Sequence, residues 1–176
     1  MDGRRRVLSR LNGPIDAAAI FVAEAPGRLG ADRTGVPLSG DQTARNFDWL
    51  LSRAGLTRDD VFITNAVLCN PRDAAGNNRP PTRSEIARCR EHLAATLAIV
   101  RAPLVVALGS AALTALDAIE GHDLRLARDV GRPVAWQERR LVALYHPGPR
   151  ARVHRPVSDQ EADFEALGTT IRESGW

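Results

Sequence analysis

A chain of 176 residues, 44% hydrophobic and 26% charged, has the makeup of an ordinary globular domain and enough length for a substantial core. No apolar run approaches a membrane span, and the opening stretch MDGRRRVLSRLNG lacks an apolar signal core, so the expectation is one domain over 1–176, cytoplasmic and away from membranes. All 24 basic residues are arginine. The lack of lysine excludes a lysine Schiff base, leaving only the N-terminal amine, and a Walker-type phosphate loop, whereas arginine's planar fork suits phosphate and a polyanionic partner.

In chain order, AAAIFVA at 17–23 predicts a buried strand running into a loop rich in Gly and Pro, EAPGRLGADRTGVPLSG. Asp41 is placed to cap a helix in which Ala44, Phe47, Leu50, Leu51 and Ala54 recur at helical spacing, and Gly55 stops it. VFITNAVL at 61–68 is a second strand, apolar except for Thr64 and Asn65, followed by the polar loop CNPRDAAGNNRPP. A helix opens at Thr82 or Ser84 and runs to about Val100, with Glu85 three residues after Thr82 as in a capping box. APLVVALG at 102–109 is a third strand, turning at Gly109 and Ser110 into the helix SAALTALDAIEG. RPVAWQ and RRLVALYH form a hairpin around Glu138, the second half ending at His146, and a last helix spans about Ser158 to Glu173.

Strands alternating with helices predict a three-layer α/β/α domain around a mainly parallel sheet. In such sheets ligands sit beyond the carboxyl ends of the strands. Three segments bring chemistry there: EAPG, Asn65 within ITN, and the loop after the last strand, YHPGPR. Each admits a plain reading beside a functional one. EAPG can be a Pro-Gly turn, or a place where Gly27 lets backbone approach a ligand and Glu24 orients water. Asn65 is either a satisfied core amide or a reader of a nucleobase edge. His146 is either a strand-end histidine bonded to a carbonyl or a donor to a ligand. The prolines after it stiffen a loop whose N–H groups and arginines can meet phosphate. LGSAA matches a nucleophile elbow only loosely, no GxGxxG follows the first strand, and no His/Cys spacing suits zinc.

Taken together, FVAEAPGRLGADRTGVPLSG, VFITNAVLCNP, RPPTRSEIARCREHL, PLVVALGSAAL and YHPGPR resemble, in order, the uracil-DNA glycosylase superfamily over residues 17 to 155. The likeness is greatest to its iron–sulphur-bearing, thermostable-type fourth family. The resemblance implies a four-stranded, mainly parallel sheet flanked by helices. It also implies a monofunctional enzyme hydrolysing the N-glycosidic bond of deoxyuridine in DNA. Glu24 matches the acidic residue associated with water or the base, Asn65 the asparagine that bonds uracil, and His146 the histidine that stabilises the departing base. Ala25, Gly27 and Leu38 fall at base-binding positions. Pro147, Gly148, Pro149, Arg150 and Arg152 fall in the loop that enters the minor groove.

Two departures stand out. The iron–sulphur branch uses four cysteines, but this chain has only Cys69 and Cys89, so no cofactor and no cluster is expected, with the thiols reduced and serving packing. Leu38 stands where the family commonly carries a stacking Phe, which leaves room for another aromatic such as Phe47 to reach in. The expected partner is uracil-containing DNA, bound by a monomer. The rival readings are a lesion-binding protein of the same fold without turnover, and a small-molecule α/β hydrolase or nucleotide-binding protein.

Overall fold

The computed structural model describes residues 4–175. The elements are β1 (Ala19–Ala23), α1 (Ala31–Thr34), α2 (Gln42–Arg53), β2 (Val61–Asn65), α3 (Arg83–Ile99), β3 (Leu104–Leu108), α4 (Ser110–Asp117), α5 (Leu126–Asp129), β4 (Val134–Trp136), β5 (Arg139–Leu144) and α6 (Val157–Glu173). The sheet order is β2-β1-β3-β5-β4. The first four are mutually parallel, and β4 pairs antiparallel with β5 through the expected hairpin. The four-stranded sheet implied by the resemblance therefore carries a fifth, three-residue edge strand.

Every residue of β1, β2 and β3 is buried, as parallel strands covered on both faces must be. Their side chains alternate between two cores. Ile20, Val22, Phe62, Val105 and Leu141 pack with α3 and α4 on one face. Phe21, Ile63, Val106, Val142 and Leu144 pack with Phe47, Leu50 and Leu51 of α2 and Phe164, Leu167 and Ile171 of α6 on the other. Phe21, Phe47 and Phe164 form an aromatic cluster with centroid separations of 5.3 to 6.4 Å. Gly168 lets α6 lie directly on the end of α2, because a Cβ there would stand 2.2 Å from the Ala54 carbonyl oxygen.

The helix signals hold. Asp41 accepts from the Ala44 N–H, and Thr82 with Glu85 makes a reciprocal capping box at the start of α3. Two strands are shorter than their apolar runs. β2 ends at Asn65, although the Ala66 and Val67 N–H groups still bond to the carbonyls of Ala23 and Glu24. β5 ends at Leu144, two residues before His146. Its neighbour β3 has by then turned into α4, and the Gly109 N–H donates the last bond to the Leu144 carbonyl.

Candidate active site

The parallel register sets Ala23 beside Asn65, Val22 beside Ala107 and Leu108 beside Leu144. The residues just past these rows thus meet at one edge of the sheet. A cavity of ≈ 530 Å³ lies there, lined by Glu24, Ala25, Gly27, Leu38, Asn65 and His146. Gly148, Pro149 and Arg150 complete its far rim. Pro147 and Arg152 do not line it. Pro147 is buried and its carbonyl accepts from Asn46 Nδ2 at 2.8 Å, while Arg152 stands exposed on the 3₁₀ turn Pro149–Val153. A more voluminous surface hollow (≈ 620 Å³) lies over α4 and α5. It holds none of the strand-end groups, and its Arg128 and Arg132 are taken up by Asp129. The strand-end cavity is therefore the candidate site.

Asn65 is 3% exposed, and its Nδ2 has no hydrogen-bond partner among the described residues. A buried amide hydrogen without an acceptor costs about 1–3 kcal/mol, so an orphan facing a cavity marks where an acceptor belongs. This answers the choice left open by the sequence: Asn65 is not a self-satisfied core amide. Thr64 Oγ1 is also buried and unpartnered, and nothing in the structure explains it.

His146 is not bonded to a carbonyl. Its Nδ1 accepts from the Gly148 N–H at 3.1 Å. A backbone N–H can only donate, so the proton of the neutral ring sits on Nε2. Desolvation holds the imidazole pKa below its usual value, against the charge of Asp41, which raises it. The ring is thus a neutral donor with a fixed tautomer. Gly148 makes this possible, since a Cβ there would lie 2.9 Å from His146 Nδ1.

Glu24 is half-buried, and its pKa is raised by desolvation, with Arg150 pulling it back toward the carboxylate. Leu38 adopts φ 44, a left-handed conformation costing a side-chain-bearing residue roughly 1–2 kcal/mol. Arg58 holds it there by donating to the carbonyls of Pro37 and Leu38. Phe47 does not reach the cavity. It is fully buried in the aromatic cluster, because its helical spacing with Leu50 and Leu51 turns it to the sheet. The aromatic side chain that does line the cavity is Tyr145.

Several lining residues carried no site signal in the sequence. Asp41 was legible only as a helix cap, yet it contributes a second carboxylate. One of its oxygens caps α2, and a Cβ on Gly27 would stand 3.4 Å from the other. Asn70 and Asn78 come from the polar loop, Leu126 from the unpredicted α5, and Ser110 from the start of α4.

Cys69 and Cys89 are free thiols, and burial followed by the neighbouring Cys89 pushes the Cys69 pKa up, away from the thiolate a metal requires. Among the described residues no group of three or more His, Cys, Asp or Glu could hold a metal ion. Two cysteines in the whole chain do not fit a four-cysteine cluster.

The profile described as the uracil DNA glycosylase superfamily matches residues 12–167. The chain is 34% identical over 136 residues to the type-4 uracil-DNA glycosylase of Thermotoga maritima, covering 77% of this chain and 67% of the relative. It is 31% identical over 166 residues to the type-4 enzyme of Archaeoglobus fulgidus, covering 86% and 76%. It is also 35% identical over 150 residues to the type-5 uracil-DNA glycosylase of Pyrobaculum aerophilum, covering 78% and 64%. With a match spanning every strand and each wall of the cavity, this chain belongs to the uracil DNA glycosylase superfamily.

Proposed function

We propose that the protein is a monofunctional uracil-DNA glycosylase of base-excision repair, acting as a monomer without a metal or cluster. The observation that carries this reading is the orphaned Asn65 Nδ2, deep in a cavity whose other wall offers a histidine fixed as an Nε2–H donor. An amide's adjacent acceptor and donor complement N3–H and O4 of uracil. A base inside a duplex is out of reach, so the nucleotide must be extruded into the cavity.

In hydrolysis the C1′–N1 bond breaks and its electron pair leaves with the base, so negative charge grows on uracil while the sugar becomes positive. His146 Nε2–H donates to O2, where that charge develops. Because the ring is already neutral and already oriented, no proton or rotamer change is needed during the step. Glu24 orients the water whose oxygen forms the new bond to C1′, and the water's proton passes to the carboxylate. A base with a raised pKa suits that task. The Asp41 carboxylate adds negative charge near the cationic sugar. Ala25 and Gly27 present backbone to the base, and Leu38 covers its face with an aliphatic surface. The Pro147–Arg152 loop meets the DNA, with Arg150 and Arg152 on phosphates.

The test incubates the protein with matched oligonucleotides carrying uracil or thymine, followed by alkaline cleavage at abasic sites. Cleavage of the uracil strand alone is expected. With no lysine in the chain, borohydride should trap no catalytically relevant adduct with abasic DNA. Tight binding of uracil-containing DNA without release of uracil would favour a lesion-binding protein instead.

A further inference from the structure

Three asparagines line the cavity, and two of them, Asn65 and Asn70, differ in one respect that assigns them different work. Asn65 has an open donor. Asn70, 1% exposed, has none to spare. Its Nδ2 donates to the Pro26 carbonyl at 2.5 Å and to Asn78 Oδ1 at 2.9 Å. Its Oδ1 accepts from Arg72 Nε at 2.8 Å, and its backbone carbonyl accepts from Arg4 Nη1 at 2.6 Å. With both amide hydrogens taken, Asn70 cannot donate to a ligand, but it can hold what surrounds it.

What it holds is the neighbouring loop after β1. Pro26 lies between Glu24 and Gly27, and a proline offers only its carbonyl as a backbone polar group. The Asn70 side chain takes that carbonyl. Asn78 closes the link from the same loop, its Oδ1 also accepting from the Arg28 N–H at 3.0 Å. Arg72 extends it to Asp32 of α1. On the outer side, the Val7 N–H bonds to the Leu68 carbonyl at 2.9 Å, so the segment carrying Arg4 braces the loop beside Cys69 by hydrogen bonds.

We propose that Asn70 is a positioning residue: its buried amide ties the loop after β2 to Pro26 and so sets the place of Glu24 and Gly27 relative to Asn65. This inference rests on the glycosylase reading. Without the tie, the loop that meets phosphate is untouched but the loops after β1 and β2 can shift against each other, and misplacement by about 1 Å can cost as much as 10²-fold in rate.

The experiment compares the full chain with Asn70→Ala and Asn70→Asp. It measures single-turnover uracil release at saturating protein, oligonucleotide affinity, inhibition by free uracil, and thermal melting. Asn70→Asp keeps the size and the acceptor for Arg72 but turns an oxygen toward Pro26 O and Asn78 Oδ1. Both variants are expected to fall by about 10- to 100-fold in the single-turnover rate of folded protein and to bind free uracil more weakly by a similar factor. Oligonucleotide affinity should stay within about twofold, since phosphate contacts carry it. Asn78→Ala, which removes one acceptor and leaves Asn70 in place, should show a smaller decrease in the same direction, and it decides the matter if the Asn70 variants do not fold. A lowered melting temperature with unchanged turnover and uracil inhibition would make Asn70 merely structural and overturn the inference alone. A parent chain that releases no uracil would overturn the glycosylase reading and this inference with it.

Discussion

The two walls of the cavity are built on opposite principles. The wall made by the loops after β1 and β2 is stitched by side-chain hydrogen bonds. Arg72 pairs with Asp32, and Arg79 makes a two-pronged pair with Glu85 at 2.7 Å on each prong. The wall after β5 is stiffened by prolines and held by few bonds. Its ties to the rest of the chain include Gly148 to His146 and Asn46 to Pro147, with Arg155 to Asp163 and Gln160 to the Arg155 carbonyl behind it. Arg150 and Arg152 are exposed there, with no carboxylate within salt-bridge distance among the described residues. The difference teaches how to read arginines in a chain that has no other strong base. A paired arginine is part of the fold, whereas an unpaired one beside a cavity is available to phosphate. In the proposed reading, the bonded wall positions polar groups and the sparse wall meets the polyanion.

The largest test of that division is His146→Ala. It removes a cavity-lining side chain of the sparse wall whose ring is held by the Gly148 N–H. Single-turnover release should fall by about 10²–10³-fold, the usual cost of one preorganised donor. Oligonucleotide affinity and melting should change little. Near-normal turnover in a destabilised protein would reduce His146 to a packing residue.

The pH dependence separates the walls next. The proposed mechanism needs neutral His146 and ionised Glu24, so activity should fall on the acid side, by about tenfold per pH unit for each group once it is protonated. The limb from His146 lies below the ordinary 6.5, because desolvation lowers that pKa, and the limb from Glu24 lies above the ordinary 4.5, because desolvation raises it. The stability that His146 contributes as a neutral ring is complete above its unfolded pKa and is lost as pH falls through the lowered folded value. Glu24→Gln should leave a single limb, below 6.5. A two-step profile that survives this substitution would remove Glu24 from the ionisation the reaction needs.

The smallest effects sharpen the contrast among the arginines. Replacing both Arg150 and Arg152 with Ala should reduce the log–log salt slope of duplex binding by about 0.9 for each phosphate no longer neutralised, with melting unchanged. Arg79→Ala should do the reverse, leaving the slope and lowering stability. The Arg79 pair holds the Glu85 carboxyl at about 2, so the stability it gives is present above the ordinary carboxylate value and is lost as pH falls toward 2. That acid-side decline should shrink in the Arg79 variant, leaving the part that the Thr82 hydrogen bonds to Glu85 supply. An unchanged slope in the double variant would place the loop away from DNA.

Much of this protein was legible in its residues alone. Apolar runs with Val, Ile and Phe named β1, β2, β3 and β5 and the hairpin. Asp41, Thr82 with Glu85, and Gly55 marked helix ends, because capping and periodicity are local properties. The lack of lysine and the count of two cysteines settled which covalent and cluster chemistries the side chains can supply. Glu24 and His146 were found because each ends an apolar run, and Asn65 because it interrupts one, and a parallel sheet gathers the strand ends at one edge. Only the tertiary structure decided the rest, since it depends on partners distant in sequence. Asn70 meets Pro26 across 44 positions and Asn46 meets Pro147 across 101. The same packing drew Phe47 into the core rather than the cavity, and brought Asp41 to the site from a helix cap. It also left Asn65 Nδ2 without an acceptor and gave the His146 proton to Nε2. A residue's type limits which bonds it can make, but whether each bond is filled by the protein or left for a ligand depends on what the fold places opposite it.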